Sequence, residues 1–134
     1  MHEQNSEHRS QTIEFSREIE GLPDARESEP AELADGDEFD LEIIPVKKRI
    51  DDATVRMLAY NGSVPGPTLK VPQGATIKVH VTNHGDLDAI VHWHGLDVPE
   101  LADGHPRLAV AAGRDYIYEF EVTNRAGTYW YHPH

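Results

Sequence analysis

The alternation of apolar and polar residues predicts β-strands from residue 39 onward. The clearest case is 75–82, where Ile77, Val79 and Val81 alternate with polar residues, as in a strand with one buried face. Residues 115–122 repeat the pattern with aromatic side chains. Shorter apolar runs between turn residues predict further strands at 39–48, 54–60, 68–71, 89–94 and 127–134. Many short strands without a helical pattern predict an all-β fold, an antiparallel sandwich or barrel.

Residues 1–38 differ from the rest of the chain in charge and pattern. The first 46 positions hold fourteen acidic residues against three arginines, and glycines and prolines interrupt any regular pattern. Such a segment buries too little apolar surface to offset its ordering entropy. The sequence therefore predicts a largely disordered acidic extension over 1–38 and a folded domain over 39–134. In an alternative interpretation, the extension attracts metal through His2 and His8.

The composition excludes several classes of function. A net charge of −12 without a basic patch excludes nucleic acid and anionic membrane surfaces as partners. No apolar run approaches the ~20 residues of a membrane span. The chain has no cysteine, which excludes disulfides, zinc–thiolate sites and a thiolate-bound blue copper centre.

Two His-x-His pairs carry the strongest chemical signal. His92 and His94 flank Trp93 in a strand-like run. Because side chains alternate along a strand, the two imidazoles point to one side, roughly 6.5–7 Å apart at the backbone, and Trp93 points into the core. His132 and His134 repeat the pattern around a proline. This spacing suits two imidazoles that reach different metals of one cluster.

Imidazoles without sulfur ligands favour copper, zinc, iron or nickel. The alternative is that the two pairs are exposed strand ends that bind nothing. The other histidines carry a weaker signal: His80 falls on the polar face of its strand, His84 in a turn and His105 in a loop.

Several motifs together resemble one family. Residues 92–96 read HWHGL, 103–107 read DGHPR and 127–134 read GTYWYHPH, and they follow YNG at 60–62 and VPGPTL at 64–69. From about residue 40 to the last residue, this arrangement resembles the N-terminal cupredoxin domain of multicopper oxidases, the superfamily of laccases, bilirubin oxidases and bacterial cuprous oxidases. The resemblance implies a cupredoxin-like Greek-key β-sandwich or barrel.

The resemblance also implies a role for each motif histidine. His92 would be a ligand of the type 2 copper, and His94, His132 and His134 would be ligands of the type 3 coppers. Asp103 matches an acidic residue that, in bacterial members, helps to deliver protons to oxygen or acts as an outer partner of the cluster. The alternative is that Asp103 only caps its Asp-Gly turn.

The chain departs from the family pattern at His134, where it ends. Complete members continue into further cupredoxin domains, which supply the remaining cluster histidines and the cysteine-bound type 1 copper. The resemblance thus implies half of a trinuclear copper cluster, with no type 1 site, that is shared with missing C-terminal cupredoxin domains of the same or a separate chain, or across a homo-oligomer. We expect an incomplete domain without its last strand, marginally stable and inactive alone.

Three functions remain open from the sequence. In the first, the chain is the copper-binding N-terminal domain of an oxidoreductase that oxidises a reducing substrate and reduces O2 to water. In the second, it is a copper-binding module without catalysis, and in the third it is an inert fragment. Residues 1–8 carry no visible export signal, although the family is usually periplasmic or extracellular.

Overall fold

The computed structural model is nearly all β across residues 16–134, the part of the chain that it describes. The predicted disorder of residues 1–15 and the interpretation of His2 and His8 lie outside this part. No helix within it is long and apolar enough to cross a bilayer. Eight strands and two single turns of 3₁₀ helix are present in the described residues: β1 Ala31–Glu32, β2 Glu38–Ile50, β3 Ala53–Tyr60, β4 Leu69–Lys70, β5 Thr76–Asn83, β6 Val91–His94, 3₁₀ turns Glu100–Ala102 and Pro106–Leu108, β7 Asp115–Glu121 and β8 Trp130–Pro133.

The strands form one four-stranded sheet and two small ribbons. The sheet has the order β3-β2-β5-β7, and the ribbons pair β1 with β4 and β6 with β8. Two pairings, β1 with β4 and β2 with β5, are parallel, against the antiparallel arrangement that the pattern predicts. The parallel pairing of β2 with β5 arises because the chain crosses over through β4 after the β2–β3 hairpin.

The core lies on the face of the sheet that the alternation predicts. Along β5, Ile77, Val79 and Val81 are buried and the intervening residues are only partly so. Across the pairing with β7, Ile77 lies opposite Phe120 and Val79 opposite Tyr118, and both aromatic rings are also buried. The buried rings give the β6–β8 ribbon an apolar surface on which to pack.

Residues 24–37, part of the extension that the sequence predicts to be disordered, are paired with the domain. The Ala25 amide donates to the Lys47 carbonyl at 2.9 Å, and the Arg26 amide donates to the Gly62 carbonyl at 2.8 Å. Farther along, β1 pairs with β4, and Leu33 joins the core with 8% of its surface exposed. Composition misses this order because backbone pairing with strands distant in sequence, rather than apolar content, holds the segment.

One buried amide organises the loops that lead to β6. Asn83 is fully buried, and its amide nitrogen donates to the Leu87 carbonyl at 2.7 Å and the Val110 carbonyl at 2.8 Å. Its side-chain oxygen accepts from the Gly85 amide at 2.9 Å. Val110 in turn forms a bridge with Ala89, two residues before β6. Asn83 therefore fixes the point at which the chain enters the first histidine strand.

Replacing Asn83 with alanine tests this arrangement. Asn83→Ala leaves the Leu87 carbonyl and the Gly85 amide without this partner, and the Val110 carbonyl keeps only the Ala89 amide. We therefore expect the free energy of unfolding in urea to fall by about 2–3 kcal/mol. Gln73→Ala is the matched control, because this exposed amide makes a single bond to the Thr123 carbonyl; its loss should cost about 0.5 kcal/mol. Equal losses for the two variants would contradict the role of Asn83.

Candidate metal centre

The antiparallel pairing of β6 with β8 brings the two His-x-His pairs together. In this register His92 lies opposite His132, and Trp93 lies opposite Tyr131. Because directly opposite residues of an antiparallel pair share one face, the imidazoles lie on one side of the ribbon. Trp93 is buried on the other side, as the alternation predicts, with 3% of its surface exposed.

The imidazoles form a close group. One ring nitrogen from each of His92, His94 and His132 can be chosen so that all three atoms lie within 4.8 Å of one another. His134 lies beside this trio: its ring centroid is 5.2 Å from that of His92, and its amide donates to the Ile90 carbonyl at 3.1 Å. The structure thus brings all four motif histidines into one patch, which we call the histidine face.

Backbone carbonyls orient two of these imidazoles. The Nδ1 of His92 lies 2.9 Å from the Asp103 carbonyl, and the Nδ1 of His132 lies 2.7 Å from the Pro133 carbonyl. A carbonyl can only accept, so each Nδ1 carries the proton and each Nε2 carries none. The Nδ1 of His94 then donates to Nε2 of His132 across 3.3 Å. Such outer hydrogen bonds fix the tautomer and direction of metal-binding histidines.

Asp103 touches the histidine face through its backbone. It follows the 3₁₀ turn Glu100–Ala102, and its amide donates to the Glu100 carbonyl at 3.2 Å. Its carboxylate is about half exposed, with one oxygen 3.8 Å from Nδ1 of His92. The carbonyl is the closer partner of His92, a contact that the sequence does not predict. A role for the carboxylate in proton delivery stays a prediction.

The other described histidines lie outside this group. His80 is partly buried and lies 3.4 Å from a carboxylate oxygen of Glu38, and His84 lies 3.3 Å from one of Glu42. His105 accepts the Arg107 amide through Nδ1 at 3.1 Å and begins the second 3₁₀ turn. Each of these three imidazoles therefore has a partner outside the group formed by the motif histidines.

A layer of aromatic rings supports the ribbon from the core side. Trp93 packs against Phe120 and Tyr131, with ring centroids 5.0 and 5.4 Å away. The Tyr131 hydroxyl donates to the Pro67 carbonyl at 2.6 Å, and its ring meets that of Tyr60 edge-on at 5.2 Å. Aromatic pairs at such separations add to the stabilisation from burial alone. Because Tyr131 precedes His132 in β8, this layer holds β8 in place at His132.

Sequence reasoning missed the backbone and aromatic partners of the histidines. The Asp103 carbonyl could not be recognised, because its contact with His92 depends on the fold of the intervening loop. Trp130 and Tyr131 were visible only as aromatic residues next to the second histidine pair. Their alternation in the strand was the available signal, since it places Trp130 on the side of His132 and Tyr131 on the opposite side.

The donor set fits copper. Three imidazoles converge, two of them present Nε2 because a carbonyl holds Nδ1, and the chain has no sulfur ligand from cysteine. Neutral imidazole is a preferred ligand of copper, and zinc, iron and nickel also accept it. The geometry thus supports a histidine-only metal site.

Comparison with known proteins identifies the family. A family model described as multicopper oxidase matches residues 43–134. The chain belongs to the multicopper oxidase family. Among curated relatives, it is 42% identical over 77 residues to the multicopper oxidase mco of Staphylococcus aureus, with 58% of the chain covered. It is 40% identical over 102 residues, 74% of the chain, to copper resistance protein A of Pseudomonas syringae pv. tomato.

Solved structures show the same fold for this multicopper oxidase domain. A multicopper oxidase from Campylobacter jejuni, described as a metallo-oxidase, superposes with a TM-score of 0.65 at 33% identity over 90% of the chain. The McoA multicopper oxidase of Aquifex aeolicus superposes with a TM-score of 0.70 at 30% identity, also over 90%. The predicted all-β cupredoxin-like fold is thereby confirmed.

The chain spans only part of these relatives. It covers 17% of each of the two curated proteins and 26% of each of the two solved chains. It therefore corresponds to one portion of the longer proteins that it matches.

Gly104, which follows Asp103, provides a test of how closely this loop packs against β6. Gly104 has φ +77°, and an added Cβ would meet the Val91 carbonyl at 2.7 Å. Gly113 has φ +78° and open space around it. We expect Gly113→Ala to lower the free energy of unfolding by about 1 kcal/mol, the cost of a left-handed conformation. Gly104→Ala should lower it by about 3 kcal/mol, because a backbone collision is added. Equal losses in urea denaturation would contradict the close packing of this loop against β6.

The aromatic layer predicts a loss of stability in alkali. Burial, together with the neighbouring Tyr131 and Tyr118, raises the pKa of Tyr60 above its ordinary value. Unfolded tyrosine ionises near pH ~10, whereas folded Tyr60 stays neutral, so its contribution is complete below that pH and is lost as pH rises further. We expect the free energy of unfolding of Tyr60→Phe to fall less steeply than that of the unchanged chain between about pH 9.5 and 11. Parallel curves would contradict this assignment.

Proposed function

We propose that this chain supplies half of the histidine ligands of a trinuclear type 2 and type 3 copper cluster. The observation that carries the proposal is the convergence of His92, His94 and His132, with ring nitrogens within 4.8 Å of one another. Membership of the multicopper oxidase family favours copper over the other metals that imidazoles accept. The remaining ligands would come from further cupredoxin domains, since the chain covers about a quarter of its solved relatives.

Each histidine has a distinct role in this proposal. His92 would hold the type 2 copper, and His94, His132 and His134 would hold the type 3 coppers. When bound, the copper ions would relay electrons from a reducing substrate to O2, which is reduced to water. The protein's own part is to hold the imidazoles as neutral ligands, which the carbonyls of Asp103 and Pro133 support by keeping the proton on Nδ1 of His92 and His132.

Asp103 is proposed to handle protons at the cluster. Reduction of O2 to water consumes protons, so the site needs a group that exchanges them with solvent. The Asp103 carboxylate is about half exposed and has an oxygen 3.8 Å from Nδ1 of His92. It therefore lies between bulk water and the histidine face, at a position suited to passing protons inward.

A second candidate function is a copper-binding module without catalysis. The same observation favours it, because the three imidazoles converge within this chain and without another domain. The two functions differ in what copper does here: the module binds copper tightly alone, whereas half of a cluster binds it weakly until the other ligands are present.

Copper titration of the purified chain tests both. We expect Cu(II), added in steps and followed by electron paramagnetic resonance and mass spectrometry, to bind at the histidine face. In nuclear magnetic resonance spectra, Cu(II) should broaden the imidazole signals of His92, His94, His132 and His134 first. A His92→Ala/His132→Ala variant should lose more affinity than the roughly 10- to 100-fold that loss of an outer partner costs.

A matched double variant controls for histidine loss in general. His80→Ala/His84→Ala removes two imidazoles that pair with Glu38 and Glu42, away from the histidine face, and should bind copper as the unchanged chain does. Tight stoichiometric binding by the chain alone would favour the module. Copper that binds equally well to the His92→Ala/His132→Ala variant would contradict both functions.

A further inference from the structure

Trp130 makes flat ring contacts with two of the motif histidines. Its indole stacks on the His132 imidazole, with ring centroids 4.0 Å apart and planes 28° from parallel. It also lies against His94, at 4.9 Å and 32°. His94 is its direct partner across the β6–β8 register, and His132 is its neighbour on the same face of β8. One ring therefore contacts an imidazole on each strand.

Burial does not account for this tryptophan. Trp130 has 58% of its surface exposed, whereas Trp93 has 3% exposed and packs in the core. An exposed indole gains little from removal of its surface from water. Its ring contacts, by contrast, are with two imidazoles whose nitrogens belong to the converging trio. The position of Trp130 is therefore better explained by the histidines than by the core.

A ring stacked on an imidazole restricts its orientation in addition to its hydrogen bonds. The torsion that rotates a histidine ring about its Cβ–Cγ bond is broad and roughly two-fold, so the ring can turn over at small cost. A reversed His132 would lose the bond from Nδ1 to the Pro133 carbonyl and would no longer accept the His94 proton on Nε2. A large ring stacked against His132 obstructs that rotation.

We infer that Trp130 is a positioning residue of the metal centre. By stacking on His132 and lying against His94, it holds the two imidazoles in the arrangement in which His132 keeps Nε2 free of a proton. That this positioning serves metal binding rests on the proposed copper function. That Trp130 restricts the two imidazoles rests on the ring geometry alone. Trp130 itself offers no metal ligand, so it acts through the histidines.

The copper-free chain provides a test that does not depend on activity. We would record histidine ring nitrogens by ¹⁵N nuclear magnetic resonance at about pH 8, where ordinary imidazoles are neutral. The unchanged chain should show His132 as the Nδ1–H tautomer. Trp130→Leu should give a mixture of tautomers at His132 and His94, whereas His92, which Asp103 holds, keeps its state. Trp130→Phe retains a flat ring and should restore the single tautomer.

Copper affinity provides the second readout. We expect Trp130→Leu to bind Cu(II) about 10-fold more weakly, the lower end of the effect of outer-partner loss, and Trp130→Phe to recover most of the affinity. Tyr129→Leu is the matched control: this neighbouring aromatic is 36% exposed, and its hydroxyl bonds to the Arg125 carbonyl. It should leave tautomers and affinity unchanged. Urea denaturation of each variant checks that the fold is intact.

The outcomes separate this inference from the proposed function. If folded Trp130→Leu keeps the His132 tautomer and the copper affinity of the unchanged chain, the positioning role is wrong. Failure of Trp130→Phe to restore the tautomer would also overturn it, because the argument requires a flat ring rather than an indole. If the unchanged chain binds no copper at the histidine face, the copper function loses its support, while the tautomers of the copper-free variants still decide the role of Trp130.

Discussion

The register of β6 against β8 is the constraint on which the metal centre depends. With His92 opposite His132, the period of two in each strand places the imidazoles on one face and Trp93 and Tyr131 on the other. A shift of one residue in either strand would turn its histidines toward the core. The two aromatic residues oppose such a shift, because Trp93 packs against Phe120 and Tyr118, and Tyr131 packs against Trp93 and Tyr60. Hydrophobic packing on one side of the ribbon thereby sets ligand geometry on the other.

Contacts distant in sequence extend this constraint through the domain. The Tyr131 hydroxyl bonds to the Pro67 carbonyl, in the loop between β3 and β4. The acidic segment braces the same loop, since the Ser28 hydroxyl donates to the Gly66 carbonyl at 2.7 Å and the Arg26 amide donates to the Gly62 carbonyl. The segment that composition predicts to be disordered thus supports the loop that anchors Tyr131, the residue next to His132.

Much of this architecture follows from local sequence pattern, and the rest depends on pairing. Alternation in 75–82 and 115–122 predicts β5 and β7 with the correct buried faces, because the period of two is a local property. The side of the strand on which His92 and His94 lie follows in the same way. The pairing of His92 with His132, 40 positions apart, does not follow from the local pattern, because no local rule fixes which strands pair. The same limit explains why β1 and the order of residues 24–37 were missed: their partners lie in β2, β4 and the loop after β3.

The exposure of the histidine face separates metal binding from catalysis. His94 and His134 are exposed, and His92 and His132 are only partly buried. The carbonyl partners of His92 and His132, together with the Trp130 ring, orient imidazoles from within this chain, so the preparation of these ligands is a property of the chain itself. Controlled O2 chemistry also requires a cavity that excludes water, because the surroundings of a metal set its potential and the acidity of bound water. The exposed histidine face provides oriented ligands but no cavity that excludes water. Copper binding is therefore the part of the proposed function that this exposed face supports by itself, whereas the proposed O2 reduction would require a more enclosed site.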